Sequence, residues 1–491
     1  MIFEVLSTLL LTPFIIRTLG QAEYGVYKLS AAINAYLLLL DLGVGNAVTR
    51  YVAKYRVEGN KEQGRKFLGV ATLFYLGIAI IAIIIGIVLV EVFPSAFAKG
   101  LSLSEVQLGQ KLLAITMVNS AITLGTAAYT NVLIAYEKFT ISKGSSIIQI
   151  IIRMILTYIT LLMGMGAVGI VTVNLITTIF CRGFFVYYTL FKIKLWPKFR
   201  GIEKAFIKEI VAYSSLILLQ MVATQINASI DQVLIGSLVT SSAVILAVYG
   251  VGSQIVQYFQ SIGSAFTGVL MPGIVKLVEN RASVKELTNE MIRIGRIILM
   301  VLALIWGTFF VEGQDFIILW AGADNKQAYL VSIVLMTAHM FILTESIGSQ
   351  ILWAMNKHKE QSILKVVIVL ANICLTIVLI KWNPLIGATL GTFISLIVGD
   401  VLVMNIIFAK KLKMNLRYYY RGIFKGILPA LIIMIIGGYI LSRFMGGGWI
   451  MFLLKVSIML IIYVFAMLSF GMNRYEKKLC LSLAKKITKK R

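Results

Sequence analysis

Apolar runs long enough to cross the hydrocarbon of a bilayer recur along the whole chain, separated by short polar and basic segments. They predict fourteen membrane helices: 2–16, 29–49, 67–92, 112–135, 145–163, 167–190, 211–235, 243–264, 293–312, 328–352, 362–381, 386–409, 425–445 and 449–471. The first is short, which implies either a shortened helix or a misplaced start codon. Inside several runs, polar residues return at three- and four-residue steps, a spacing that gathers them on one helix face. Ser30, Asn34, Asp41, Gly45 and Thr49 form one such stripe, and Ser146, Gln149, Arg153, Thr157 and Thr160 another. Asn174, Thr178 and Arg182 continue the pattern, followed by Gln220, Thr224, Asn227 and Asp231, then Gln254, Gln257, Ser261 and Ser264. These stripes imply a shared interior that is wet or hydrogen-bonded.

Loop charge supplies orientation. With the N-terminus inside, the cytoplasmic loops and their flanks hold 36 of the 46 Lys and Arg. The opposite loops hold seven: Arg17, Lys28, Lys99, Lys111, Lys326, Lys381 and Arg443. The positive-inside rule then gives an N-in, C-in topology. It also accounts for the net charge of +25, which in a soluble protein would suggest nucleic acid. A chain 59% hydrophobic and 14% charged is a polytopic membrane protein with almost no soluble mass. Three scattered cysteines (Cys181, Cys374, Cys480) offer neither a disulfide framework nor a zinc site. No cleavable signal peptide is visible at the start.

An internal repeat divides the chain. VLIAYEKFTISKGSSIIQIIIRMILT (132–157) aligns with QILWAMNKHKEQSILKVVIVLANICLT (350–376) at an offset of 219, with Ala135 on Ala354 and Lys138 on Lys357. One residue out of that register, GIVTVNLITTI (169–179) meets GATLGTFISLI (387–397). Tyr24-Gly25-Val26 recurs as Tyr249-Gly250-Val251. An offset of six helices preserves orientation, so the expected fold is all-α: two parallel-repeated six-helix bundles plus two C-terminal helices. The expected organisation is a first lobe (1–190), a basic cytoplasmic linker (191–210), a second lobe (211–409), helices 13 and 14 (410–471) and a basic cytoplasmic tail (472–491). Parallel repeats are a transporter architecture, with the site between the halves.

Catalytic motifs are missing. The five aspartates (41, 231, 315, 324, 400) make no DxD pair, and no Gly-Lys dipeptide exists to build a Walker A loop. His339 and His358 are too far apart for HExxH, and His339 reads as a packed or hydrogen-bonded residue. Gly164-Met165-Gly166-Ala167-Val168-Gly169 fits GxGxxG but sits between two membrane helices with no strand before it, so it reads as a hairpin turn. No catalytic or metal-binding residue is assigned.

The neutral members of the stripes read as interhelical glue. Ionisable groups in the membrane are functional candidates by default. Arg153 and Arg182 stand out, with Gln149 and Asn227 on the neighbouring polar faces. Asp41, Asp231 and Asp400 are the intramembrane carboxylates. At an offset of 218, Arg182 falls on Asp400. The two either pair with each other or serve a ligand. Arg50 reads as a headgroup anchor, and Lys455 as a lysine snorkelling outward. The basic, aromatic stretches 195–210 and 410–425 read as interfacial amphipathic segments, and the tail as lying near anionic headgroups.

The opening LLLTPFIIRTLGQAEYGVYKLSAAINAYLLLLDLGVGNAVTRYVAKYRVEGN resembles bacterial polysaccharide repeat-unit flippases, the O-antigen and capsule exporters. These share a superfamily with multidrug and toxin extrusion (MATE) transporters and lipid II flippases. GQDFIILWAG (313–322), expected in an external loop, and the two-lobe repeat extend the likeness over essentially the whole chain. The basic cytoplasmic N-terminus common in that family is missing. The resemblance implies two bundles around a cavity that opens alternately to each side of the bacterial cytoplasmic membrane. It implies an undecaprenyl-diphosphate-linked oligosaccharide as substrate, turned from the inner to the outer leaflet. Arg153 and Arg182, with Gln149 and Asn227, would then meet the diphosphate or the sugars, since arginine binds phosphate oxygens bidentately. Asp41, Asp231 and Asp400 would balance charge, bind sugar hydroxyls or couple to H⁺ or Na⁺. No other cofactor is expected, and the partners would be membrane lipids and the polysaccharide polymerase and chain-length machinery.

Two other classes compete. An ion-coupled drug exporter shares the fold, and intramembrane carboxylates suit a cationic drug. A membrane glycan polymerase would need a large external loop, whereas the longest external stretch here is about 20 residues, near 93–111. A non-transporting scaffold for sugar-assembly enzymes would show the same hydrophobic pattern.

Overall fold

The computed structural model describes residues 2–41, 43–199, 204–280, 282–355, 357 and 359–478, with side chains described except at 2, 204–220, 267–272 and 275. All described regular structure is helical. In chain order the α-helices are α1 (Ile2–Leu37), α2 (Val44–Val57), α3 (Lys61–Phe97), α4 (Leu103–Gly125), α5 (Ala127–Ala135), α6 (Phe139–Leu162), α7 (Gly166–Tyr187), α8 (Lys204–Leu238) and α9 (Ala243–Glu279). They continue with α10 (Val284–Ala321), α11 (Ala328–Thr344), α12 (Ser346–Ala354), α13 (Lys359–Ile380), α14 (Pro384–Leu396), α15 (Met404–Lys411), α16 (Leu416–Phe424), α17 (Ile427–Phe444) and α18 (Trp449–Ala466). Each of the fourteen apolar stretches falls on helix. Among the described residues, nine helices are long and apolar enough to cross a membrane, or eleven when two bent pairs count as single spans. The chain is a multi-pass membrane protein.

Two compact units divide it: residues 1–250 with 380–384, and residues 251–379 with 385–491. The core of the first gathers Val48 and Val52 of α2, Phe67, Leu68, Ala71 and Tyr75 of α3, and Val132 of α5, all buried. Close backbone approach matters here. A Cβ on Gly25 of α1 would lie 1.9 Å from the Ala243 carbonyl oxygen, so only glycine allows α1 to meet the start of α9.

Several expectations need correction. The external loop expected at 17–28 is helix, because α1 runs through it and breaks only at Gly20, whose φ of 72° and ψ of 173° are non-helical. Thirty-six helical residues would be about 54 Å long, nearly twice the hydrocarbon thickness, and the break at Gly20 divides α1 into two helices. The continuous span expected at 29–49 is interrupted as well. Asp41 ends a 3-10 turn, Leu38–Asp41, and Gly43 takes the left-handed conformation (φ 71°) before α2 begins. GQDFIILWAG is not a loop. Residues 313–321 are the last part of α10, whose 38 residues overrun the bilayer, and Gly322 follows as its cap. Helix also fills most of the expected loop 265–292, since α9 reaches Glu279 and a Ser283–Glu286 capping box starts α10.

The two bent pairs stand at matching places. α4 meets α5 at 41° around Thr126, and α11 meets α12 at 40° around Glu345. Glu345 follows Thr126 by 219 residues (345 minus 126), the offset of the sequence repeat. The turn 163–165 between α6 and α7 bears out the hairpin reading of GxGxxG: Gly164 and Gly166 have φ of 75° and 58°, and Glu23 Oε1 accepts from the Ala167 amide (2.6 Å). Gln220, His358 and Cys480 lie outside the described side chains.

Candidate functional site

The stripes of the fifth and sixth expected spans meet along the seam of α6 and α7. A helical step of four aligns Gln149 and Arg153 on α6, and Asn174, Thr178 and Arg182 on α7. Gln149 Nε2 reaches Thr178 Oγ1 at 3.5 Å, and one turn further on Arg153 Nη1 reaches Asn174 Oδ1 at 3.4 Å. Arg182 Nη1 donates to Thr130 Oγ1 of α5 at 2.6 Å. Both arginines are half-buried, and neither makes an ion pair among the described residues. Tyr27 of α1 feels the charge of Arg153.

Asp41 belongs to the same neighbourhood. Its carboxylate accepts from Tyr75 Oη of α3 at 2.7 Å and lies within the electrostatic reach of Arg182. The turn at Leu38–Asp41 and the left-handed Gly43 place it there. The arginines therefore keep neutral hydrogen-bond partners, with one half-buried carboxylate nearby and their charge largely unspent. An anion entering this region would gain charge-assisted bonds without displacing an existing ion pair. On the seam's exposed side, Ile148, Ile152, Ile176, Phe180 and Phe184 line an apolar groove of about 490 Å³, with Gln149 also in its lining.

The other predicted residues are placed elsewhere. Asp231, buried on α8, accepts a hydrogen bond from Tyr249 of α9. Asn227 is half-buried one turn away. Asp400 is buried in a π-helical stretch, 397–403, and pairs with Lys365 of α13 at 2.7 Å. Arg182 and Asp400, matched by the repeat, each find a partner within their own unit. Lys455 does not snorkel outward. It is buried, and it pairs with Glu312 and with Asp315 (3.2 Å), both of which α10 carries because it continues past 312. Arg50 is exposed over the Tyr51 ring, as an anchor would be.

Sequence reasoning missed several polar knots. Glu345, at the break of the second bent pair, is buried and accepts from Tyr420 Oη (2.5 Å) and Asn405 Nδ2 (3.0 Å). Asn372 Oδ1 accepts from Thr376 and Thr392 at 3.0 and 3.1 Å. Arg296, expected at a cytoplasmic helix end, is buried. It bonds the carbonyls of Gly422, Ile423, Lys425 and Gly471 and forks onto Glu476. The i, i+4 step from Asn372 to Thr376 was a readable signal for one of these. Glu345 and Arg296 had only single helical-step neighbours, Ser349 and Arg293, which did not form a stripe. The neutral stripe on α1 behaves as glue: Asn34 accepts from Ser120 (2.9 Å), and Ser30 reaches the Gly109 carbonyl (3.5 Å). His339 is hydrogen-bonded, to Gln260 at 2.7 Å.

Comparison with known proteins adds the following. The model of the polysaccharide biosynthesis protein family matches residues 2–278. No curated protein sequence is significantly similar to the chain. Among solved structures, a lipid II flippase MurJ in an inward closed conformation superposes with a TM-score of 0.74 at 17% identity, covering 95% of this chain and 96% of that one. An inward-facing multidrug resistance MATE family transporter of the MOP superfamily gives 0.61 at 15% identity, with 83% and 98% covered. A MOP superfamily transporter from Pyrococcus furiosus gives 0.54 at 16%, with 84% and 95% covered. At these identities the likeness establishes the fold alone.

Proposed function

The chain belongs to the polysaccharide biosynthesis protein family, and from that premise we propose that it is a flippase for lipid-linked oligosaccharide. It carries undecaprenyl-diphosphate-linked repeat units from the inner to the outer leaflet of the bacterial cytoplasmic membrane, by alternating access. The observation that carries this reading is the α6–α7 seam, where two intramembrane arginines rest on neutral partners. A diphosphate needs cations that are not already neutralised, and guanidinium groups fork onto its oxygens. Arg153 and Arg182 hold the diphosphate, and Gln149 and Asn227 bond sugar hydroxyls. Asp41 and Asp231 balance the charge when the cavity is empty or couple the cycle to H⁺ or Na⁺. Asp400, already paired with Lys365, balances charge in its own unit. The polymerase and chain-length machinery receive the product.

Cells lacking the protein test this. Complete lipid-linked repeat units should accumulate facing the cytoplasm, and the wild-type gene should clear them. Arg153→Ala and Arg182→Ala should not. If complete units reach the outer face unpolymerised, a polymerase role replaces the flippase. If lipid-linked glycans are unchanged and the cells become drug-sensitive, the protein is an exporter, a reading that the fold shared with the MATE transporter keeps alive.

A further inference from the structure

Glu345 occupies an unusual place. It is the residue at which α11 bends into α12, it is 3% exposed, and no Lys or Arg pairs with it among the described residues. Three elements close over it. Tyr420 Oη of α16 donates to Oε1 at 2.5 Å, and Asn405 Nδ2 of α15 donates to Oε2 at 3.0 Å. Tyr419 Oη, also from α16, points at the neighbouring Thr344 carbonyl (3.4 Å). The charged groups around it are committed elsewhere. Asp400, which feels Glu345 across the site, is held by Lys365 of α13, and Arg296 of α10 is held by Glu476. His339 of α11 is bonded to Gln260.

Counted together, Glu345, Asp400 and Lys365 bring two carboxylates and one ammonium into a buried region. An ionised Glu345 leaves that region with an uncompensated negative charge, which is costly away from water. One proton would neutralise it.

The hydrogen bonds set what that proton changes. Asn405 Nδ2 lies within bonding distance of three oxygens: Glu345 Oε2, Tyr420 Oη (2.7 Å) and Val401 O (2.7 Å). It has two hydrogens to give. Its own Oδ1, on a side chain 5% exposed, is buried with no donor. The amide is thus over-committed as a donor and unused as an acceptor. The set suits an ionised carboxylate, which accepts from Asn405 and Tyr420 at once; a proton on Oε2 turns that oxygen into a donor facing the Nδ2 donor, and the bond to α15 is lost. Burial and the adjacent carboxylate push the Tyr420 hydroxyl up, so it stays a donor in either state.

We propose that Glu345 is a proton-binding site that latches α16 to the break between α11 and α12. Ionised, Glu345 holds Tyr420 by a charge-assisted bond and fixes α16. When it takes a proton from the cytoplasmic side, the bond becomes a neutral one, roughly half as strong, and α16 is held less tightly. The device needs no substrate, so it stands or falls separately from the flippase reading.

The test uses the full chain in lipid nanodiscs without substrate. Difference infrared spectra between about pH 9 and about pH 5 should show a protonated-carboxyl band that Glu345→Gln removes. Over the same range, amide hydrogen exchange in α16 should quicken by about tenfold, with α4 unchanged. In Glu345→Gln it should sit at the acid level at every pH. Tyr420→Phe, which keeps Glu345 but removes the donor favouring its ionised form, should move the band's midpoint to higher pH. The proposal is overturned if the band survives Glu345→Gln, if Tyr420→Phe leaves its midpoint in place, or if exchange in α16 ignores pH in the wild type.

Discussion

The two units handle charge in the membrane differently. In the first, Arg153 and Arg182 rest on Asn174 and Thr130, neutral partners, with Asp41 nearby but hydrogen-bonded to Tyr75. In the second, the buried cations are met by carboxylates, Lys455 by Glu312 and Asp315 and Arg296 by Glu476, and the half-buried Lys365 is met by Asp400. Ion pairs of the second kind hold helices together and leave little charge for anything else. Arginines of the first kind contribute modestly to the fold and retain their attraction for an anion. On the proposed function the difference separates a structural use of charge from a binding use, and each variant below is a way of testing it.

Arg296→Ala should have the largest effect on stability. It removes four carbonyl contacts that tie α10 to the end of α16, to Lys425 just after it and to Gly471, and it leaves the Glu476 carboxylate buried without its cation. Breaking a buried pair from one side costs about 3–5 kcal/mol. Thermal unfolding in detergent should show most of the folded fraction lost. Arg293→Ala, one turn before, removes a partly exposed pair with Glu290 and a contact over the Tyr475 ring, and should cost about 1 kcal/mol.

Lys455→Met should come next, since it strands the fully buried Glu312. The double variant Lys455→Met with Glu312→Leu should recover most of the loss, because an apolar replacement of a whole buried pair is often neutral. If the double variant is as unstable as the single, α10 and α18 depend on the charges themselves and the structural account of this pair fails.

The arginines of the first unit should behave in the opposite way. Arg182→Gln keeps a donor for Thr130 and should change unfolding by about 1 kcal/mol, the worth of a typical hydrogen bond. Lipid-linked oligosaccharide export should nevertheless be lost. A loss of stability as large as that of Arg296→Ala would place Arg182 among the structural charges and remove it from the binding site.

Much of this was readable in the chain. Apolar runs fix where helices lie, because each must satisfy its backbone in hydrocarbon. The i, i+4 steps of Gln149, Arg153, Asn174, Thr178 and Arg182 brought the seam into view, since a helix face is a periodic object. What failed was local or long-range. The break at Gly20 looked like a loop because glycine, glutamine and glutamate interrupt the apolar pattern there, yet the chain remains helical on both sides of it. Lys455 looked like a snorkelling lysine because its partners lie about 140 residues away, Glu312 at the end of an expected span and Asp315 in the loop expected after it. Glu345 and Arg296 carried only a single-step signal, to Ser349 and from Arg293, too short to mark a stripe. Their importance arises from elements that the fold brings to them, which a single helix pattern does not encode.

The smallest effect belongs to the other bend. Thr126 stands where Glu345 stands in the repeat, at a break of nearly the same angle, but its hydroxyl turns back onto the Ile122 carbonyl of its own helix (2.6 Å). Such back-bonding is local and asks nothing of another element. The bend there is held by packing: Ala128, Leu124 and Val132 are buried in the core of α2, α3 and α5. Thr126→Val should therefore shift unfolding by no more than about 0.5 kcal/mol and leave hydrogen exchange in α5 unchanged at every pH. The corresponding change in the second unit, Glu345→Val, removes the acceptor of Tyr420 and Asn405 and should free α16. Equal responses at the two positions would mean that the bend alone matters. Unequal ones would mean that the second half has turned an inherited bend into a charged joint, while the first has kept it as plain packing.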